Sequence, residues 1–84
     1  MRLLGREKLQ PHLRDDETVR NWLCAWVSEL CTANWRHPSD VSSQFPKVRQ
    51  ADSGQFVFPI NDCGKKIYVQ ISFQQGVAII TGLQ

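Results

Sequence analysis

The apolar residues of this chain keep two different periods, one before residue 34 and another after residue 54. Val19, Trp22, Leu23, Trp26, Val27, Leu30 and Cys31 recur at intervals of three and four. Residues so spaced stack on one side of an α-helix, so the spacing draws a continuous apolar stripe, read as core packing ahead of the alternative that its tryptophan pair, Trp22 and Trp26, forms a binding box. Arg20, Asn21, Ser28 and Glu29 take the other faces. From Gln55 onward the period is two. Phe56, Phe58 and Ile60 alternate with Gln55, Val57 and Pro59, and Ile67, Val69, Ile71 and Phe73 alternate with Lys66, Tyr68, Gln70 and Ser72. That is the pattern of strands with one buried face. A chain whose helical period precedes its strand period belongs to the α+β class.

Turn residues divide these segments. Residues 1–4 read as a short first strand broken by Gly5, and residues 6–14 as a weak helix in which Leu9 and Leu13 are four apart. Pro11 lies inside it, where a first turn tolerates proline better than a middle does. Asp15, Asp16 and Glu17 suit the positive N-terminus of the main helix. Pro38 fits the first turn of a third helix over residues 39–44, which Pro46 stops. Residues 47–54 are a polar loop ending in the turn Asp52-Ser53-Gly54. Asn61-Asp62-Cys63-Gly64 is a hairpin turn, Gln74-Gln75-Gly76 turns the chain again, and residues 77–83 form the last strand. The expected architecture is N-terminal helices packed on an antiparallel sheet with a C-terminal three-strand meander.

With 84 residues, the chain is expected to form a single domain over residues 1–84. A net charge of +2 permits contact with nucleic acid without requiring it. Cys24, Cys31 and Cys63 are odd in number and show no paired spacing. Together with the lack of a secretory leader, this reads as a reducing cytoplasm. Cys24 and Cys31, seven apart on a helix, are separated by roughly 10 Å along its axis, too far for a disulfide. No Cys/His cluster has zinc spacing, and no apolar run reaches the ~18 residues of a membrane span. No metal, cofactor or membrane is therefore expected. Glycine-rich phosphate loops and activated serine or cysteine constellations are missing as well. His12 and His37 fall on different elements and read first as ordinary surface histidines.

Chemistry is concentrated in the polar face of the second hairpin strand. Lys66, Tyr68, Gln70 and Ser72 project to one side, Lys65 adjoins them, and Lys47 and Arg49 lie in the preceding loop. Lysine neutralises phosphate and tyrosine stacks on bases, so the pattern suits RNA. It equally suits a plain solvated sheet face. Residue pattern alone leaves both readings open.

Trp35, Pro38, Asp40 and Val41, followed by Phe45-Pro46, resemble the W-x-x-P-x-D-V…F-P signature of the HigB family, RelE-like toxins of bacterial toxin–antitoxin pairs. The likeness extends to residues 1–4, Lys8-Leu9, Leu23, Ala25-Trp26, Val57-Phe58, Ile60 and residues 64–73. The resemblance implies a RelE-like fold and a metal-free endoribonuclease that cuts mRNA on translating ribosomes. It also implies a partner, a small helix-turn-helix antitoxin that keeps the enzyme silent. Such enzymes bring the RNA 2′-hydroxyl against the scissile phosphate, with basic and tyrosine or histidine groups for charge stabilisation and proton transfer. By this likeness Lys66 and Tyr68 are the candidate catalytic residues. Arg36, His37, Lys47, Arg49 and Lys65 are the candidate RNA-binding residues. Lys66 stands where the family usually has arginine, and keeps the charge without the bidentate fork. Thr81 takes another arginine position, and the family's Thr-His-x-x-Tyr-Asp ending has no counterpart before Gln84. These departures imply an attenuated enzyme, or the alternative of a catalytically inactive module that binds antitoxin or RNA without cutting. A structural domain with no nucleic-acid role is the third reading.

Overall fold

The computed structural model describes residues 1–14, 17–51, 54–60 and 64–84, without the side chains of His12 and Leu13. Asp15, Asp16, Asp52, Ser53 and Asn61 through Cys63 lie outside the described residues, so the acidic helix start and two expected turns are described only at their margins. The chain runs as strand β1 (Arg2–Leu4), a 3-10 segment (Arg6–Arg14), helix α1 (Glu17–Thr32), helix α2 (Pro38–Gln44), then strands β2 (Arg49–Gln50), β3 (Gln55–Pro59), β4 (Lys66–Ser72) and β5 (Val77–Leu83).

The main helix keeps its apolar stripe but buries only part of it. Val19, Leu23, Trp26 and Leu30 are buried, while Trp22, Val27 and Cys31 pack against the core half-buried. The helix closes where the Thr32 hydroxyl donates back to the carbonyls of Ser28 and Glu29, at 3.1 and 3.2 Å. Side-chain bonds of this kind satisfy carbonyls that the last turn leaves open. The following tryptophan is also structural. Trp35 is buried, and its indole N–H donates to Gln44 Oε1 at 3.0 Å, tying the approach to α2 to its far end.

Sheet order is β1-β5-β4-β3-β2. Strands β3, β4 and β5 form the expected antiparallel meander. Two strands extend it. β1 pairs parallel with β5, with Leu3 opposite Ala78. Within the segment expected to be only a polar loop, Arg49 and Gln50 pair with Val57 and Phe56 of β3. The sheet is thus five-stranded and mixed. Pro59 ends β3 beyond the reach of two-residue β2. The Ile60 N–H points to the Lys65 carbonyl in the β4 direction, so the N–H that Pro59 lacks would have faced the unpaired side.

Alternation is obeyed on the inner face, where Phe56, Phe58, Ile67, Val69, Ile71, Ala78 and Ile80 are all buried against the helices. Rings meet edge to face there. Phe58 lies 5.4 Å from Trp26 and 5.2 Å from Phe45, at 72° and 89°. The two free cysteines described, Cys24 and Cys31, are unbridged.

Candidate nucleic-acid interface

The outer face of the sheet is set by register. Tyr68 stands opposite Val57, Lys66 opposite Pro59, and Gln70 opposite Gln55. Arg49 is opposite Val57 on the other side. A row therefore crosses three strands from Arg49 through Val57 to Tyr68, with Pro59 and Lys66 in the next row. Here the surface sinks into a depression of about 370 Å³ lined by Lys47, Arg49, Val57, Pro59 and Lys66. None of the five is acidic, and all three cations are exposed. Farther along the same face the surface turns apolar, where paired Leu4 and Ile79 are 39% and 42% exposed. The three cations of the depression come from β2, the segment just before it and the start of β4.

Tyr68 lies beside the depression and is half-buried. Its neighbour on the β5 side is Gly82, which has no side chain to cover it. The register then slips: Tyr68 pairs with Gly82 but Val69 with Ile80, leaving Thr81 without an opposite residue. A bulge of this kind re-aims side chains and sharpens the local twist. The Thr81 hydroxyl donates to the Tyr68 carbonyl at 3.1 Å. Thus the position where the resemblance implies arginine holds a neutral side chain engaged with the backbone beside Tyr68.

The other sequence candidates are not gathered here. Arg36 and His37 are exposed at the start of α2, and neither lines the depression. Their backbone N–H groups donate to Asp40 Oδ2 at 2.8 and 3.1 Å, as a residue at the third helical position does for an open helix start. Those two bonds, Arg36 first, hold the Asp40 carboxyl below its usual range. Lys65 is half-buried, its carbonyl accepts from Ile60, and it is not part of the lining. Among the described residues no group of three or more His, Cys, Asp or Glu side chains is placed to hold a metal ion.

The depressed Asp40 value has a consequence for stability. A folded-state pKa below the unfolded one means that the ionised carboxylate favours folding above the unfolded value, about 3.9. That contribution is lost as pH falls through the folded value. Asp40→Ala is therefore expected to melt below the parent at pH 7, with the gap narrowing under about pH 4. Parallel thermal scans at the two pH values check this, and a gap that persists in acid would refute it.

A second concavity bears on the tryptophan pair of the main helix. Trp22, Ala25, Trp26 and Glu29 of α1, residues 44–48, and Phe58 and Pro59 line an apolar groove of about 340 Å³. The stripe reading placed Trp22 in the core together with Trp26. Only Trp26 is buried, and Trp22 lies nearly parallel to it at 6.4 Å and 14°, part of its surface in the groove. Periodicity marks the side of a helix that faces inward but not where the neighbouring elements stop covering it. Lys47 and Pro59 line both concavities.

The family model for HigB toxins, described as the RelE-like toxic component of a toxin–antitoxin system, matches residues 19–83. The chain belongs to the HigB toxin family. Comparison with curated proteins gives no match. Membership carries the role of the toxic component and, with it, a cognate antitoxin as partner. The helices packed on a five-stranded mixed sheet accord with a RelE-like fold. Among the described residues no helix of this HigB-family chain is long and apolar enough to cross a membrane.

Proposed function

We propose that this HigB-family toxin is a ribosome-dependent mRNA endoribonuclease that acts in the cytoplasm, and that the depression between Lys47, Arg49 and Lys66 receives the scissile phosphate. The observation that carries this reading is the meeting of three exposed cations, from two segments far apart in sequence, with no acidic residue in the lining. Lys66 lies on a strand paired on both sides, so its charge is held by the sheet rather than by a loop. Preorganised positive charge of this kind stabilises the added negative charge of a phosphorane-like transition state.

In the reaction the RNA 2′-hydroxyl oxygen bonds to the adjacent phosphorus and the bond to the 5′-oxygen breaks. A 2′,3′-cyclic phosphate and a free 5′-hydroxyl result, and the proton leaving the 2′-oxygen is balanced by one delivered to the 5′-oxygen. Lys66 neutralises the non-bridging oxygens. Tyr68, on the same face beside Val57, stacks on a base or supplies a proton. Lys47 and Arg49 hold the backbone, and Arg36, His37 and Lys65 contact RNA or ribosome outside the depression.

The test is induction of the chain in cells lacking antitoxin, with growth followed and mRNA 5′ ends mapped. Growth arrest with new cleavage sites that vanish when translation is blocked is expected. Lys66→Ala should lower the cleavage rate by about 10²–10³-fold, the usual effect of removing one transition-state charge stabiliser. Intact messages in cells holding folded protein would reject the nuclease reading. Binding carries its own signature: affinity for single-stranded RNA should fall with salt at a log–log slope near −2, about −0.7 for each of three phosphates. Lys66→Ala should reduce that slope by about 0.7.

One observation favours a second reading. Thr81, neutral and bonded to the Tyr68 carbonyl, replaces the cation implied at the catalytic face. A module that binds RNA or antitoxin without cutting accounts for this. RNA binding with the expected salt slope and no cleavage on ribosomes would establish it.

A further inference from the structure

The apolar groove adjoins the basic depression, and nothing in the reading above uses it. We propose that the groove is a base-binding subsite. On this view a nucleotide next to the one in the depression turns its base into the groove, over Trp22, while Lys47 holds the phosphate between them. The inference rests on the depression being a phosphate site.

Two observations point to this occupant. First, the concavities share a wall. Lys47 and Pro59 line both, so one cation stands at the junction between a positive surface and an apolar one. A nucleotide has that same division, an anionic backbone beside a flat apolar base. Second, the wall includes a tryptophan of suitable exposure. Trp22 is half-buried and stacked on Trp26, which fixes its ring plane before any ligand arrives. Phe45 and Pro46 supply further apolar surface. Single-strand binders combine this kind of rigid aromatic platform with a charged track.

The subsite selects single-stranded RNA. A paired base must give up its pairing and stacking, at a cost of about a few kcal/mol, to enter a groove, whereas an unpaired one stacks on aromatic side chains directly. Base-on-aromatic stacking of this kind is weakly dependent on sequence.

A short single-stranded RNA, scanned with one abasic nucleotide at each position in turn, tests the proposal. Wild-type protein should lose about 5- to 150-fold in affinity at one position, the range for removing a stacked base. Trp22→Ala should show a loss of the same size on the intact RNA and no further loss at that position. Ala25→Leu provides an independent block. Ala25 is an exposed helix position that lines the groove, so leucine fills the space without touching the core and should reproduce the loss. Circular dichroism melts confirm that each variant is folded.

Full RNA affinity in both variants, with the salt slope and the Lys66→Ala defect intact, would overturn the subsite and leave the nuclease reading standing. Full RNA affinity in Ala25→Leu together with loss of a copurified antitoxin complex would assign the groove to the protein partner and overturn it likewise. No binding of RNA by folded wild-type protein would reject the subsite and the phosphate site together.

Discussion

Phe58→Ala is expected to lower the stability of this protein by about 3–5 kcal/mol, the usual effect of emptying a fully buried aromatic site. Phe58 is 1% exposed and sits where three elements converge. Its ring stands edge to face with Trp26 of α1 at 5.4 Å and with Phe45, just after α2, at 5.2 Å. Removing it takes away buried area and two aromatic contacts, each contributing about 0.5–1.5 kcal/mol beyond area. Collapse around the gap is limited, because Trp26 and Phe56 are themselves fully buried and held on rigid elements. A domain of this size has only about 5–15 kcal/mol in total, and each kcal/mol moves the melting temperature by roughly 4–8 °C. The midpoint should therefore fall by tens of degrees. Urea denaturation followed by circular dichroism measures the free-energy loss, and a thermal scan the midpoint. A loss under about 1.5 kcal/mol, the scale of a tolerated hydrophobic swap, would mean that the junction is not packed as described.

Gly5→Ala is the second large effect, and its cause lies in the backbone. Gly5 has φ +83°, a region that costs an L-residue roughly 1–2 kcal/mol. The site is also closed. A Cβ there would sit 2.6 Å from the Ile80 carbonyl oxygen and 3.2 Å from its nitrogen. Both belong to the main chain of β5, so no rotamer change relieves the contact. Relief requires β1 to move off β5 and break the pairing of Leu4 with Ile79. Gly76 is the internal control. Its φ is +67° and nothing lies within 4 Å of its would-be Cβ, so Gly76→Ala carries the conformational term alone. The Gly5 variant should be the less stable of the two by at least about 1 kcal/mol, the low end for a residue held under strain. Equal losses in denaturant titrations would show that β1 accommodates the methyl group.

How much of this was legible in the sequence depended on the range of the interaction. The stripe from Val19 to Cys31 and the alternation from Phe56 to Phe73 report local geometry, and both elements formed where those patterns lie. The short third helix was legible too, because Pro38 and Pro46 bracket it. For the candidate site, alternation placed Lys66 and Tyr68 on one face of β4, but it did not say what stands beside them. Arg49 reaches them only because two residues of an expected loop pair with β3. Arg36 and His37, grouped with them by charge, stay at the start of α2 since their backbone N–H groups are bonded to Asp40.

By itself, then, the sequence determined the class of fold, the inward-facing side of the main helix and of the hairpin strands, and the family to which the chain belongs. Each of these is written in spacing and residue type along a continuous stretch. Tertiary structure alone decided that β1 closes the far edge against β5, that Lys47, Arg49 and Lys66 share one depression, and that Trp22 faces a groove while Trp26 is sealed. The physical reason is that a strand's pattern specifies which face is buried but not which strand lies beside it. That choice follows from burying the largest apolar surface of the whole chain at once.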